Sequence, residues 1–173
     1  MKYMQNGGFQ SHPLMRLTLY WTLAFAAGLW VTNAAMYFKR MDLTPKSVQA
    51  HYLGSEEDFS QPRSAATLLE VSHAHLATMG VMVLLLTHLA IFAPWSDRLK
   101  AWTIGLGFGS SLLGEASGWL VRFVSPSFAV LKIACFLAFQ AVLALLIAGL
   151  ASFLLASGAP PKARRKYQPA DEE

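Results

Sequence analysis

The sequence predicts an all-α fold, a four-transmembrane-helix antiparallel bundle, and three observations predict it. The chain is 54% hydrophobic and only 14% charged, with a mean hydropathy of +0.39, where a soluble domain carries about 25% charged residues. Four apolar segments are each long enough, at about 20 residues or more, to cross a hydrocarbon core about 30 Å thick. The links between the last three segments are so short that those helices must run antiparallel as neighbours. Together the segments use most of residues 1–157, leaving no room for a separate soluble domain.

The first segment covers 14–38. Its apolar stretch exceeds the 7–15 residues of a signal-peptide core and no cleavage site follows it, so a retained anchor helix is expected. Residues 39–64 form the long connection, an external loop with Pro45, His51, Tyr52, Gly54, the acidic Glu56-Glu57-Asp58 cluster and Pro62. A loop of that length is expected to be functional or flexible. The second segment covers 66–93 and stops at Pro94. Ser96 or Asp97 can cap the third, 101–124. Ser125-Pro126-Ser127 leads into the fourth, 128–156. The tail, 158–173, is basic and then acidic, and its composition predicts disorder.

Lys and Arg near the segment ends set the orientation. Lys2, Arg16, Arg98, Lys100, Lys162, Arg164, Arg165 and Lys166 fall on one side, and Lys39, Arg40, Lys46 and Arg63 on the other. This places both termini in the cytoplasm of a multi-pass protein, read as residing in a bacterial inner membrane. The net charge of +4 is dispersed, which fits contact with anionic lipid and gives no nucleic-acid surface. Cys135 is the single cysteine and forms no intrachain disulfide.

Small residues line the third segment in two stripes, Thr103-Gly107-Ser111 and Ser110-Gly114-Gly118. A spacing of four suits close helix packing. Two stripes offer one more face than a single neighbour needs, so a homodimer seam is an option there.

The second segment carries Glu70, His73, His75 and His88. Ionisable groups at bilayer depth are functional candidates. At 100° per residue, Glu70, His73 and His88 project within about 60° of one another, while His75, Met79 and Met82 form a stripe on roughly the opposite side. His73 and His75 therefore do not aim at one centre on a regular helix. At 1.5 Å per residue both lie roughly 10–14 Å below the outer edge, the depth of Glu115 on the third segment, and His88 lies about 20 Å from His73. Asn33, Arg122 and Lys132 sit nearer the same surface, so all four helices contribute to one polar cluster. His51 in the loop is placed to fold back onto it.

Three chemistries fit. The histidines can ligate b-type haem, imidazole being the commonest protein ligand of haem iron. A transition metal can take His73, His75 and His88 with Met79, since imidazole and thioether suit copper, iron or zinc. Alternatively Glu70, His73 and Glu115 serve a quinone head group or a proton path. A fourth reading leaves these groups pairing only with one another, Glu115 with Arg122 for example, in a non-redox assembly or scaffolding protein. No nucleophile–base constellation and no glycine-rich nucleotide loop is present.

Tyr52-X-Gly54, followed by Leu69-Glu70-X-X-His73-X-His75-Leu76, resembles small bacterial four-span membrane proteins associated with respiratory electron transfer. His73-Ala74-His75-Leu76 is similar to a short motif of haem-copper oxidase-related and cytochrome b-like proteins. The resemblance implies a small subunit of a redox assembly, with haem b or quinone as cofactor and other membrane subunits as partners. On that reading His73, His75 and His88 make the cofactor contacts, Glu70 and Glu115 tune protonation or orient an imidazole, and Arg122 balances charge.

Overall fold

Backbone capping chemistry marks where each helix begins. The structure, a computed structural model, describes residues 12–57 and 59–156, and these are helical apart from turns and one isolated bridge. Helix α1 (Pro13–Arg40) starts on a proline, whose missing N–H would lack an intrahelical partner in any case. Helix α2 (Pro45–Leu53) starts the same way, and the Ser47 amide donates to the Thr44 hydroxyl that caps it. It stops at Gly54, whose φ of 85° falls in the region glycine enters without strain. Helices α3 (Ala65–Ala90) and α4 (Asp97–Phe123) are capped by Ser64 and Ser96. Asp97 adds a favourable charge in the first turn of α4. A 3-10 turn, Pro126–Phe128, leads into α5 (Ala129–Ala156).

The connection 39–64 is therefore partly helical, and α2 is an element not expected from the sequence. The Thr44-Pro45 pair is a helix start signal, and Val48 and Tyr52 one turn apart form its buried side. Helix α2 lies across one end of the bundle against α4 and α5.

Helices α4 and α5 make the most extensive pair, α3 packs on α4, and α1 packs on α5. One core joins Leu19, Leu23 and Ala26 of α1 to Val83 and Leu86 of α3 and to Phe139, Leu143 and Leu146 of α5. A second, at the α2 end, gathers Tyr37, Met41, Val48, Tyr52, Leu68 and Val121. Tyr37 stacks there on Phe136, with ring centroids 3.7 Å apart.

The small residues of α4 are consumed inside the chain. A Cβ on Gly107 would stand 3.1 Å from Val83 and 3.6 Å from Val142, and one on Gly118 would stand 3.0 Å from the Tyr52 ring. A Cβ on Gly114 would touch Cys135 at 3.6 Å. Both stripes thus face α2, α3 and α5 and leave no free small-residue face for the optional homodimer seam there. The extra neighbour is α2.

Among the described residues three helical segments are long and apolar enough to cross a membrane: Pro13–Arg40, Ala65–Ala90 and Pro126–Ala156. They contain or closely match the expected spans 14–38, 66–93 and 128–156. Helix α4 coincides with the expected span 101–124. Its charged and small residues, Asp97, Arg98, Lys100, Glu115 and Arg122 among them, leave it outside that apolar set. The expected disordered tail lies outside the described residues.

Candidate ligand-binding cavity

Between α1 and α3, at the end covered by α2, lies a cavity of about 350 Å³, within the range of small-molecule sites. Thr32 and Met36 of α1 and Ala74 and Thr78 of α3 line it and are also exposed. The mouth therefore opens between those two helices. The floor comes from Ser111, Glu115 and Gly118 of α4 with Lys132 and Phe136 of α5. His51 and Tyr52 of α2, with Arg40 and Arg63, close the end.

The main polar feature is a pair. The Nδ1 of His75 lies 2.8 Å from Oε1 of Glu115. The Glu115 side chain is only 11% exposed and that of His75 45%, so the carboxylate forms the inner end and the imidazole the outer one. Ser72 also hydrogen-bonds Glu115, and the Trp119 indole donates to the Ser72 hydroxyl at 3.0 Å. Lys132 donates to the Gly114 carbonyl at 2.7 Å and places its positive charge near Glu115. With Nδ1 held by the carboxylate, Nε2 is the nitrogen open to a ligand. It donates when the pair carries an extra proton and accepts when it does not.

Charge at the covered end is positive. Burial, followed by the nearby charges of Arg63, Arg40 and Lys132, pushes the His51 imidazole down to about 4. His51 is therefore neutral at pH 7. Asp42, beside the start of α2, is held below the usual carboxylate range by hydrogen bonds from Thr44 and Ser47.

The structure divides the residues singled out from the sequence. His75, Glu115 and Met79 line the cavity, as do Asn33, Lys132 and His51. Glu70, His73 and His88 do not, and all three lie on the exposed side of α3. His88 meets the edge of Phe92 at 5.7 Å. Helical phase is the reason: Leu68, Val83, Leu86 and Ala90 mark the buried side of α3, and 100° per residue sets His75 and Met79 near it and the other three opposite.

Arg122 is also outside the cavity. Its Nε donates to the Arg63 carbonyl at 2.8 Å, and its guanidinium lies over Phe123. The pairing expected of Glu115 with Arg122 is replaced by Glu115 with His75. Among the described residues no three His, Cys, Asp or Glu side chains gather as a metal site would need; of the four metal-ligand candidates, His75 and Met79 line the cavity while His73 and His88 lie on the exposed side of α3.

Tyr37, Tyr52, Arg40, Arg63 and Ser72 also line the cavity and were not anticipated. Only Tyr52 had a local signal, through the helix start at Thr44-Pro45. The others depend on how α1 and the α2 segment fold over α3 and α5.

A family model described as a transmembrane helical domain, Aq_1264_TM, matches residues 42–161. That match spans α2 to α5, with α1 adding a wall of the cavity from outside it. No curated protein and no solved structure matches the chain. The chain belongs to the Aq_1264_TM family of transmembrane helical domains and is a membrane protein.

Proposed function

We propose that this protein is a small integral membrane subunit of a respiratory electron-transfer assembly, and that its cavity takes the head group of a membrane quinone. The observation that carries this reading is the His75–Glu115 pair lining a cavity whose mouth lies between two helices long and apolar enough to span a bilayer. A quinone supplies an apolar tail, a flat ring, and oxygens that accept hydrogen bonds when oxidised and donate them when reduced. Nε2 of His75 meets either form by gaining or losing one proton, with Glu115 holding the ring in place. Phe136, Tyr37 and Trp119 offer aromatic surface to the head group, and the tail leaves toward lipid past Thr32, Met36 and Thr78.

In this reading α4 is the fourth span. Its 27 residues reach about 40 Å at 1.5 Å each, and its inner carboxylate is hydrogen-bonded to His75 inside the chain. The distribution of Lys and Arg supports, in this reading, both termini in the cytoplasm of a bacterial inner membrane and the cavity toward the outer side.

One observation favours haem b as a second reading. An imidazole fixed through Nδ1 by a carboxylate is an arrangement common among metal-bound histidines, and neutral His51 lines the same cavity. His88, on the outer face of α3, takes no part in either reading.

The test is a titration of purified protein in lipid nanodiscs with a short-chain quinone, followed by tryptophan fluorescence. Saturable quenching is expected, weakened about tenfold, or about 1.4 kcal/mol, in Glu115→Gln and His75→Ala and unchanged in His88→Ala. No saturable binding, or equal weakening in all three, overturns the quinone reading. A dithionite-reduced spectrum of haem-replete protein decides the second reading by the presence or absence of sharp b-type bands. Failure of both leaves the polar cluster as the internal fastening of a scaffolding protein.

A further inference from the structure

Helix α3 has a second polar face that the cavity does not use. Glu70, His73, Ala77, Val81, Leu84 and His88 are all exposed. The set repeats after 11 residues: Glu70 precedes Val81, His73 precedes Leu84 and Ala77 precedes His88 by that interval. A period of 11 residues in three turns, 3.67 per turn, stays in line along a nearly straight helix. The stripe therefore runs the length of α3 without wandering round it.

Its polar end does not suit lipid. Helix α3 has 26 residues, about 39 Å, against a hydrocarbon core of about 30 Å. Centred in the bilayer it overhangs by about 4–5 Å at each end, so Glu70 lies about 3 Å and His73 about 7 Å inside the apolar layer. Neither has a partner among the described hydrogen bonds and ion pairs of its own chain. Ionisable side chains at that depth pair with one another or face a protein surface rather than lipid. His88, two residues from the end of α3, reaches the hydrated headgroup layer and needs no partner.

We infer that this face is the seam with a second copy of the chain, the two α3 helices running parallel about a two-fold axis along the membrane normal. Acid and base sit three residues apart on one stripe, so a single two-fold rotation sets Glu70 of each copy beside His73 of the other. Both groups are satisfied at once, as a self-complementary interface requires. Ala77, one turn further, lets the backbones approach, and Val81 and Leu84 continue the contact. An unlike subunit would need its own matched acid and base at the same depth, whereas a second copy brings both.

The test is disulfide trapping in proteoliposomes at low protein-to-lipid ratio, in a Cys135→Ala background. Ala77→Cys and Leu84→Cys are compared with Phe25→Cys, an exposed position on α1. Oxidation should convert most of the Ala77→Cys and Leu84→Cys protein to a covalent dimer of twice 19.0 kDa, and little of Phe25→Cys. Adding Glu70→Gln and His73→Asn should lower the trapped fraction at Ala77→Cys at least threefold. Equal trapping at all three positions means random collision and overturns the seam. No trapping on α3, with single-molecule photobleaching of the unmodified protein showing monomers, also overturns it and leaves the face to another subunit.

Discussion

His75 and Glu115 lie 40 residues apart in the chain and 2.8 Å apart in space, joining α3 to α4 at the floor of the cavity. The contact places a carboxylate that is almost wholly enclosed where its one imidazole partner is reached from the mouth. Removing the imidazole leaves the enclosed carboxylate with Ser72 and the more distant Lys132 charge only, whereas replacing the carboxylate by an amide leaves no buried charge. His75→Ala should therefore cost about 1–3 kcal/mol and lower the midpoint of thermal unfolding by several degrees. Glu115→Gln, which keeps a hydrogen bond, should cost less, and His75→Ala with Glu115→Ala should recover part of the loss. Thermal unfolding in detergent, read by circular dichroism, checks the order. Losses that simply add in the double variant would show that the pair does not fasten these helices.

His51 predicts how stability changes with pH. Its pKa is depressed to about 4 in the folded chain, first by burial and then by Arg63, Arg40 and Lys132, from an unfolded value near 6.5. Because the folded state disfavours the proton, this contribution is complete above about pH 6.5 and is lost as pH falls toward 4. Melting temperatures of the natural protein should fall across that window. His51→Gln should flatten the fall while leaving values at pH 8 close to one another, and an unchanged slope would contradict the assignment.

Gly118 and Gly109 lie on the same helix and should respond oppositely to one methyl group. A Cβ at Gly118 meets three atoms of the Tyr52 ring at 3.0–3.1 Å, while one at Gly109 meets nothing within 4 Å. Gly118→Ala should displace the Tyr52 ring and loosen α2, at about 1–3 kcal/mol, with faster proteolysis of residues 45–53. Gly109→Ala should be nearly neutral. Limited proteolysis and thermal unfolding of the two variants side by side provide the comparison.

Gly54 ends α2 with a φ of 85°, and a Cβ there would stand 2.5 Å from the Ser60 carbonyl oxygen. Gly54→Ala therefore meets both backbone strain and a backbone clash, together about 1–3 kcal/mol or more. Hydrogen exchange should rise at the amides of Ser55, Ser60 and Arg63, which bond across this turn to Ser60, Ser55 and Tyr52. Protection as strong as in the natural chain would show that the turn tolerates a side chain.

The membrane character, the all-helical fold and the positions of the long helices were legible in the residues. Hydrophobic length, proline and serine starts, and glycine or proline stops act within one helix and need no knowledge of its neighbours. Helix α2 was legible too, through Thr44-Pro45, but a nine-residue helix bracketed by polar loop residues is easily taken for irregular chain. Helical phase also separated Glu70, His73 and His88 from His75 and Met79 before any neighbour was known.

Which of those faces looks inward was decided only by packing. The stripe with more ionisable groups, Glu70, His73 and His88, is the exposed one. Burial of Leu68, Val83 and Leu86 against α4 and α5 fixes the rotation of α3, and that rotation carries His75 to Glu115. The pairing of Glu115 with His75 rather than Arg122, and the cover that α2 lays over the cavity, likewise depend on contacts across the chain. Sequence determines what each helix can bury, since that depends on its own residues in order. The partner each polar group meets is set by several helices packing at once, so only the tertiary structure decides it.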